Sequence, residues 1–485
     1  MNIKNYKFDR DAVKQATKAN PTWIHFGAGN IFRAFCAADL QKLLDDGIES
    51  TGVIVAEGFD YEIIDKALLP YDNITTLVTL KASGKMEMTQ IASIVEALKV
   101  DDKNQDDWAR LKEIFASPSL QMVSFTITEK GYAPTEFMKK VTTLLQERYK
   151  AGGTPLAMVS MDNCAQNGTR LFEAIRSCAD DFEDKSFIEY VENKVSFPWT
   201  MIDKITPRPG EDIAKMLDTD VILTSKNTYT ASFVNAEEVQ YLVIEDSFPN
   251  GRPKLEKAGV YFANRDTVEK VEKMKVCTCL NPLHTALAVF GCLLGYNKIS
   301  EEMKDAQLVK LVEGIGYKEG LPVVTHPGIL EPKQFIDDVV KVRLPNPFMP
   351  DAPQRIACDT SQKIPIRFGE TIKAYDADPK LNVLDLTLVP LVLAGWCRYL
   401  LGVDDEGNTF ECSPDPKLEE LQKNLEGISL GGTDYKSKLR PILSNPAYFA
   451  VDLYSVGLGE KVEDMFDEMI VGKGAVRSTL EKYTG

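Results

Sequence analysis

The pattern of this sequence predicts an α/β fold in two parts, a parallel-sheet domain over residues 1–265 and a mostly α-helical domain over 266–485. Three observations carry that expectation. In the first half, short apolar runs bounded by turn residues alternate with stretches of helical spacing. A glycine turn separates the first such run from the first helix, and from about residue 266 the runs give way to long helical patterns. A chain of 485 residues also exceeds what one hydrophobic core usually serves.

The first element is the run 23–26 (WIHF), which ends in Gly27-Ala28-Gly29-Asn30 and is followed by helical spacing at Phe32, Phe35, Leu40 and Leu43. This reads as strand, tight turn, helix. Gly47 stops the helix and 52–56 (GVIVA) supplies a second strand, so the unit is expected to close as a right-handed βαβ crossover of parallel strands. Further strands are predicted at 122–128 (MVSFTIT), 156–160 (LAMVS) and 241–245 (YLVIE), with helices at 109–116 and 135–149, the latter opening after Pro134. In the second half, helices are predicted at 266–278, 283–294, 386–401, 417–425 and 460–483.

Composition narrows the function. A hydrophobic fraction of 44% and a charged fraction of 26% are those of an ordinary globular protein. The N-terminal stretch MNIKNYKFDRDAVKQ has no apolar signal core, and the apolar stretch 386–397 is interrupted by Pro390, so neither a targeting nor a membrane-spanning segment is expected and a cytoplasmic location is. The net charge of −16 excludes nucleic acid as a partner, because phosphate backbones need a concentrated basic face; a small anionic ligand would be held locally. Nine cysteines without a C-x-x-C pair predict free thiols rather than a disulfide framework or a zinc ribbon.

In G-x-G-x-x-G turns the first glycine makes the bend and the second lets backbone approach a pyrophosphate, while the following helix N-terminus supplies donors. Gly27 and Gly29 fit these roles, with Asn30 beginning the helix. Phe32 stands at the third glycine position, and Arg33 follows where a guanidinium is expected to reach a phosphate. Glu57 ends the second strand, where an acidic residue meets the adenosine ribose and repels a 2′-phosphate. NAD is therefore the expected cofactor, with Asp60 as the alternative acid.

The segment DTVEKVEKMKVCTCLNPLHTALAVFG holds His284, one of three histidines in the chain, and joins two helices through Asn281-Pro282. Asn281 is expected to cap the second helix, with Pro282 as its first residue. Glu272 and Lys275, three residues apart, share a helix face. His25 reads as a strand histidine and His326 as a loop residue. Cys277, Cys279 and His284 lack any standard ligand spacing, so no metal is expected.

These residues, with HFGAGNIFRAF (25–35), SFTITEKGY (124–132), SMDNCAQNG (160–168), FPWTMIDKITP (197–207) and VIEDSFPNGRP (243–253), recur in one order that resembles the polyol-specific long-chain dehydrogenases of the mannitol dehydrogenase family. The resemblance covers most of the chain. It implies a Rossmann domain carrying NAD and a helical C-terminal domain that closes over an open-chain polyol or sugar acid, as in mannitol/fructose or mannonate/fructuronate interconversion. It also implies a lysine general base in place of a metal. On that pattern Lys275 takes the alcohol proton, Asn163 and Asn281 donate hydrogen bonds to the developing alkoxide, His284 orients the substrate, and Glu272 relays the proton. Asp203 is implied beside nicotinamide and substrate, Thr126 in the cofactor groove, and Arg355 and Lys363 at the substrate's polar end. In the family pattern the lysine lies five residues before the asparagine; here it lies six before, and a bulge is expected to absorb the extra residue. Pro282-Leu283 replaces the small residues common at that place. The reading from another class is a non-catalytic NAD-binding or sugar-sensing protein of the same fold.

Overall fold

Six parallel strands organise the first part of the chain: β1 (Trp23–Phe26), β2 (Val53–Glu57), β3 (Ile94–Lys99), β4 (Met122–Phe125), β5 (Leu156–Ser160) and β6 (Val195–Ser196). They lie in the order β3-β2-β1-β4-β5-β6, each neighbouring pair parallel. This is the strand order of doubly wound dinucleotide-binding sheets, whose ligands sit where the order reverses, here between the carboxyl ends of β1 and β4. In the computed structural model, which describes residues 3–433 and 435–485, the chain divides into one unit up to Glu269 and another from Lys270.

Every residue of β1, β2, β4 and β5 is buried, which is why these strands are continuous apolar runs rather than alternating ones. Their side chains alternate between two cores. Trp23, Val53 and Val55 pack on one face with Phe32, Phe35, Leu40 and Leu43. Ile24, Phe26, Ile54 and Ala56 pack on the other with Leu111, Phe115, Leu144 and Leu145. The helix after the glycine turn opens at Asn30, passes through a π turn (Phe32–Cys36) and continues as α1 (Ala37–Asp45). Gly47, at φ +66°, ends it, with the N–H groups of Gly47 and Ile48 reaching back to Leu44 and Leu43. Thr135 caps α2 (Glu136–Lys150).

Three differences from the sequence expectation have physical causes. The predicted strand 122–128 ends at Phe125, because the Asp162 carboxylate takes the N–H groups of Ile127 (2.7 Å) and Thr128 (3.1 Å), and Thr128 turns to φ +64°. The run 241–245 is a strand, but it belongs to a separate three-stranded sheet with Thr200–Asp203 and Tyr261–Ala263. The half-buried strands β3, Thr75–Leu80 and Met86–Ile91 went unpredicted, because polar residues dilute their apolar pattern.

In the helical unit, α3 (Arg265–Met274) runs through a π turn (Lys275–Cys279) into α4 (Asn281–Leu293). The whole run Arg265–Leu293 is long and apolar enough to cross a membrane by length and composition, yet 83% of its most apolar window is buried inside the protein. Beside α4 stands α5 (Leu388–Tyr399), buried throughout. The Glu319 carboxylate accepts from the N–H groups of Thr387, Leu388 and Val389 at 2.7–2.8 Å, satisfying the donors that α5 leaves open at its start. The run predicted at 460–483 is two helices, α6 (Gly459–Ile470) and α7 (Ala475–Thr484). Gly474 breaks it at φ +73°, and the Asp405 carboxylate takes the N–H groups of Val476 and Arg477.

Candidate active site

At the switch point of the sheet the backbone of the glycine turn is pinned from two neighbouring strands. The Gly27 N–H donates to Ala56 O (2.9 Å) and the Ala28 N–H to Glu57 Oε2 (2.8 Å), both from the end of β2. From β4, the Thr126 N–H donates to Phe26 O (2.9 Å). Gly27 has φ +108°, and a Cβ there would lie 2.2 Å from Thr126 O, so no other residue fits. A Cβ on Gly29 would meet nothing within 4 Å, leaving open space over the turn. Asn30 then opens the helix, whose first N–H groups have no intrahelical acceptor. Such a cradle fits a pyrophosphate.

One of the expected nucleotide residues is placed differently. Arg33 does not project toward a phosphate. It is fully buried, and its guanidinium donates to Ala231 O (2.8 Å), Asn30 Oδ1 (3.1 Å) and Thr230 Oγ1 (3.3 Å), tying the first helical turn to the 230–231 segment. Burial brings its pKa down to about 10. The Glu57 carboxylate turns onto backbone, accepting from Ala28, Phe59 (2.8 Å) and Asp60 (3.1 Å). Asp60 itself is buried and accepts from Thr224 Oγ1 (2.6 Å). Asn163 is exposed in the turn after β5, at the same edge of the sheet. Asp203 ends the strand Thr200–Asp203, buried and paired with Tyr241.

In the helical unit Lys275 opens the π turn and is only 4% exposed. Its carbonyl accepts from the Leu280 N–H (3.1 Å), five residues on, so this turn holds one residue more than an α turn. Because the π turn leads directly into α4, the cap position falls on Leu280 rather than on Asn281, and Asn281 is the first helical residue. No side chain caps α4, so the Asn281 carboxamide is not spent there. Glu272, half-buried, precedes Lys275 on α3.

His284, one turn into α4, has Nε2 3.8 Å from Asp351 Oδ2, and the other Asp351 oxygen accepts from Arg355 Nη2. The structure thus brings His284 and Arg355 together through a buried carboxylate that the sequence reading missed. The signal was present: Asp351 and Arg355 are four apart around Pro353, the spacing of a helical ion pair. Lys363 is turned away from solvent, donating to the carbonyls of Ile356 and Cys358, and burial lowers its pKa. Asp162 was missed as well, although it adjoins Asn163. Its carboxylate also accepts from Tyr132 Oη (2.6 Å), and so it sets the whole β4-end loop.

Among the described residues no three His, Cys, Asp or Glu side chains gather in a metal-binding arrangement. Cys277 and Thr278 instead line a cavity of about 250 Å³ with Thr325, Glu370, Thr371 and Lys373, and burial pushes the Cys277 thiol up to about 11.

The sequence matches two family models, the mannitol dehydrogenase Rossmann domain over residues 21–257 and the mannitol dehydrogenase C-terminal domain over 267–469. The chain belongs to the mannitol dehydrogenase family. Among its relatives, a D-mannonate oxidoreductase of Thermotoga maritima is 52% identical, covering 99% of this chain and 95% of the relative. A mannitol 2-dehydrogenase of Neosartorya fischeri is 29% identical over 95% of this chain and 92% of its own. Among solved structures, a substrate-free D-sorbitol dehydrogenase superposes with a TM-score of 0.81 at 25% identity, covering 99% of this chain and 97% of that one. The mannitol 2-dehydrogenase of Pseudomonas fluorescens in complex with NAD and D-mannitol gives 0.68 at 24%, covering 99% and 96%. Within this family the Rossmann sheet and the helical C-terminal part each have their own model, and this member has both.

Proposed function

We propose that this mannitol dehydrogenase family member is an oxidoreductase that interconverts a secondary alcohol of an open-chain sugar acid or polyol and its ketone with NAD. Mannonate and fructuronate form the leading pair. The 52% identity to a D-mannonate oxidoreductase over nearly all of both chains carries the substrate choice. The glycine cradle at the β1/β4 switch point carries the cofactor choice.

When bound, NAD supplies the hydride acceptor. The Gly29 and Asn30 backbone would face the pyrophosphate, and the lone pairs of Glu57 not used by Ala28, Phe59 and Asp60 would take the ribose hydroxyls. Thr126 is assigned to the cofactor groove and Asp203 to the nicotinamide and substrate. Lys275 acts as the general base on the reacting hydroxyl, and Glu272, one turn earlier, passes the proton on. A lysine base must be neutral when it takes the proton. Asn281 and Asn163 donate amide N–H groups to the oxygen as negative charge develops there. His284 orients the substrate, with its Nε2 3.8 Å from Asp351, which pairs with Arg355; this cluster suits recognition of hydroxyls or of a terminal carboxylate. The π turn supports the assignment of Lys275, because it supplies the extra residue that separates this lysine from Asn281. This scheme needs no metal.

The test is an absorbance screen at the NADH band with mannonate, altronate, mannitol, arabinitol and sorbitol, each with NAD and with NADP. The expected outcome is turnover of mannonate with NAD. Turnover of hexitols alone would move the substrate to a polyol, and no turnover with any member would overturn the enzymatic reading.

A further inference from the structure

The broken third position of the glycine fingerprint sits over a hydrogen-bond chain whose inner members, Trp23, His25 and Ser124, have no part in the proposed reaction. His25 and Trp23 lie on the same side of β1, and Ser124 and Thr126 lie opposite them on β4 and just past its end. The Trp23 indole Nε1–H donates to Ser124 Oγ (2.7 Å). His25 Nδ1 lies 2.7 Å from the same Oγ, and His25 Nε2 lies 2.9 Å from Thr126 Oγ1. Thr126 Oγ1 in turn lies 3.5 Å from Gly27 O.

The direction of this chain follows from its members. An indole N–H can only donate, so the Ser124 oxygen accepts from it and has its own hydrogen left for His25 Nδ1. That makes Nδ1 the acceptor and puts the ring hydrogen on Nε2, from which it goes to Thr126 Oγ1. The Thr126 hydrogen is then left to point at Gly27 O. Every donor meets an acceptor in one sense only, from the sheet interior to the glycine turn. The ring is neutral in this scheme, and burial holds the His25 pKa well below its ordinary value, in agreement. Phe32, where the fingerprint has its third glycine, stacks on the His25 ring at 4.0 Å and 8°, closing the other side of the imidazole.

We propose that His25 is a positioning residue for the dinucleotide: through Thr126 it fixes the carbonyl of Gly27 and with it the conformation of the cradle. The proposal rests on the NAD reading above. It predicts an effect on cofactor affinity and not on the chemical step.

The experiment is NADH titration by fluorescence, with KM for NAD, kcat and Tm, on the full-length wild type and on Thr126→Val, Thr126→Ser, His25→Phe and His25→Gln. Thr126→Val and His25→Phe keep shape and remove the link; Thr126→Ser and His25→Gln keep a hydroxyl or an acceptor–donor pair. The expected result is NADH binding about tenfold weaker in the first two, from one lost hydrogen bond, with KM for NAD raised alike, and in His25→Phe a kcat at saturating NAD within about twofold of wild type. Thr126→Ser restores wild-type affinity and His25→Gln restores part of it. Unchanged affinity in a folded His25→Phe overturns the positioning role, even where Tm falls. Equal losses in Thr126→Val and Thr126→Ser overturn the hydrogen-bond chain. A wild type that does not bind NADH overturns the cofactor reading and the proposal together.

Discussion

In the proposed scheme the groups that face the ligand at the glycine turn are backbone, and buried side chains from three strands hold them from behind; at the π turn the groups proposed to face the ligand are side chains, and backbone geometry aims them. The first arrangement tolerates almost no change in main-chain conformation, since Gly27 stands at φ +108° against Thr126 O. The second depends on how many residues separate Lys275 from Asn281, and it inserts a fifth residue into the turn to set that distance. On that proposal a cofactor common to many enzymes is met by backbone, which is insensitive to side-chain drift, and the particular substrate by side chains that can be exchanged.

The comparison breaks first at Gly27. Gly27→Ala adds left-handed strain and a 2.2 Å contact with Thr126 O, and is expected to weaken NADH binding roughly a hundredfold, the equivalent of about 3 kcal/mol. Calorimetric titration of NADH checks this.

Behind α4 the comparison can be sharpened at Glu302, a buried carboxyl whose two oxygens have no hydrogen-bond partner and which packs on Gly291. Burial raises its pKa well above the ordinary value, so between the two values the folded state binds more protons than the unfolded one. Its stability contribution is intact below the ordinary carboxyl range and is lost as pH rises through the raised value. Glu302→Met is therefore expected to stabilise by roughly 1–3 kcal/mol, with a gain in Tm that grows as pH rises above the ordinary carboxyl range.

A smaller effect is expected at Asp351, which links His284 to Arg355. Asp351→Asn keeps the shape and removes the charge. Steady-state kinetics should show KM for the sugar acid raised about tenfold with KM for NAD unchanged, a loss of about 1.4 kcal/mol. The smallest change belongs to Gly29→Ala: the added methyl meets no protein atom within 4 Å, so Tm should hold while NADH affinity falls, which isolates ligand approach from fold.

The sequence showed most where burial is complete. The strands β1, β2, β4 and β5 were legible because a parallel strand covered on both faces is an unbroken apolar run. β3 and the Thr75–Leu80 and Met86–Ile91 strands were not, since half-burial leaves no periodicity strong enough to read. At the site, Gly27 could be read because a left-handed turn demands its residue type. Asp162 and the Arg33 guanidinium could not, because their partners are set by the fold: Asp162 serves N–H groups about 35 residues away, and Arg33 meets Ala231 across nearly 200. A π turn has no signature of its own in composition; only the six-residue spacing of Lys275 and Asn281, set against the family pattern, pointed to a bulge.

The central claim is that Lys275 performs the proton transfer in an NAD-linked oxidation, and it is tested most directly by Lys275→Ala with the substrate that the screen identifies. The account predicts kcat lower by about 10²- to 10⁴-fold, with NADH affinity within about twofold of wild type. NADH production at the wild-type rate in that variant would contradict it.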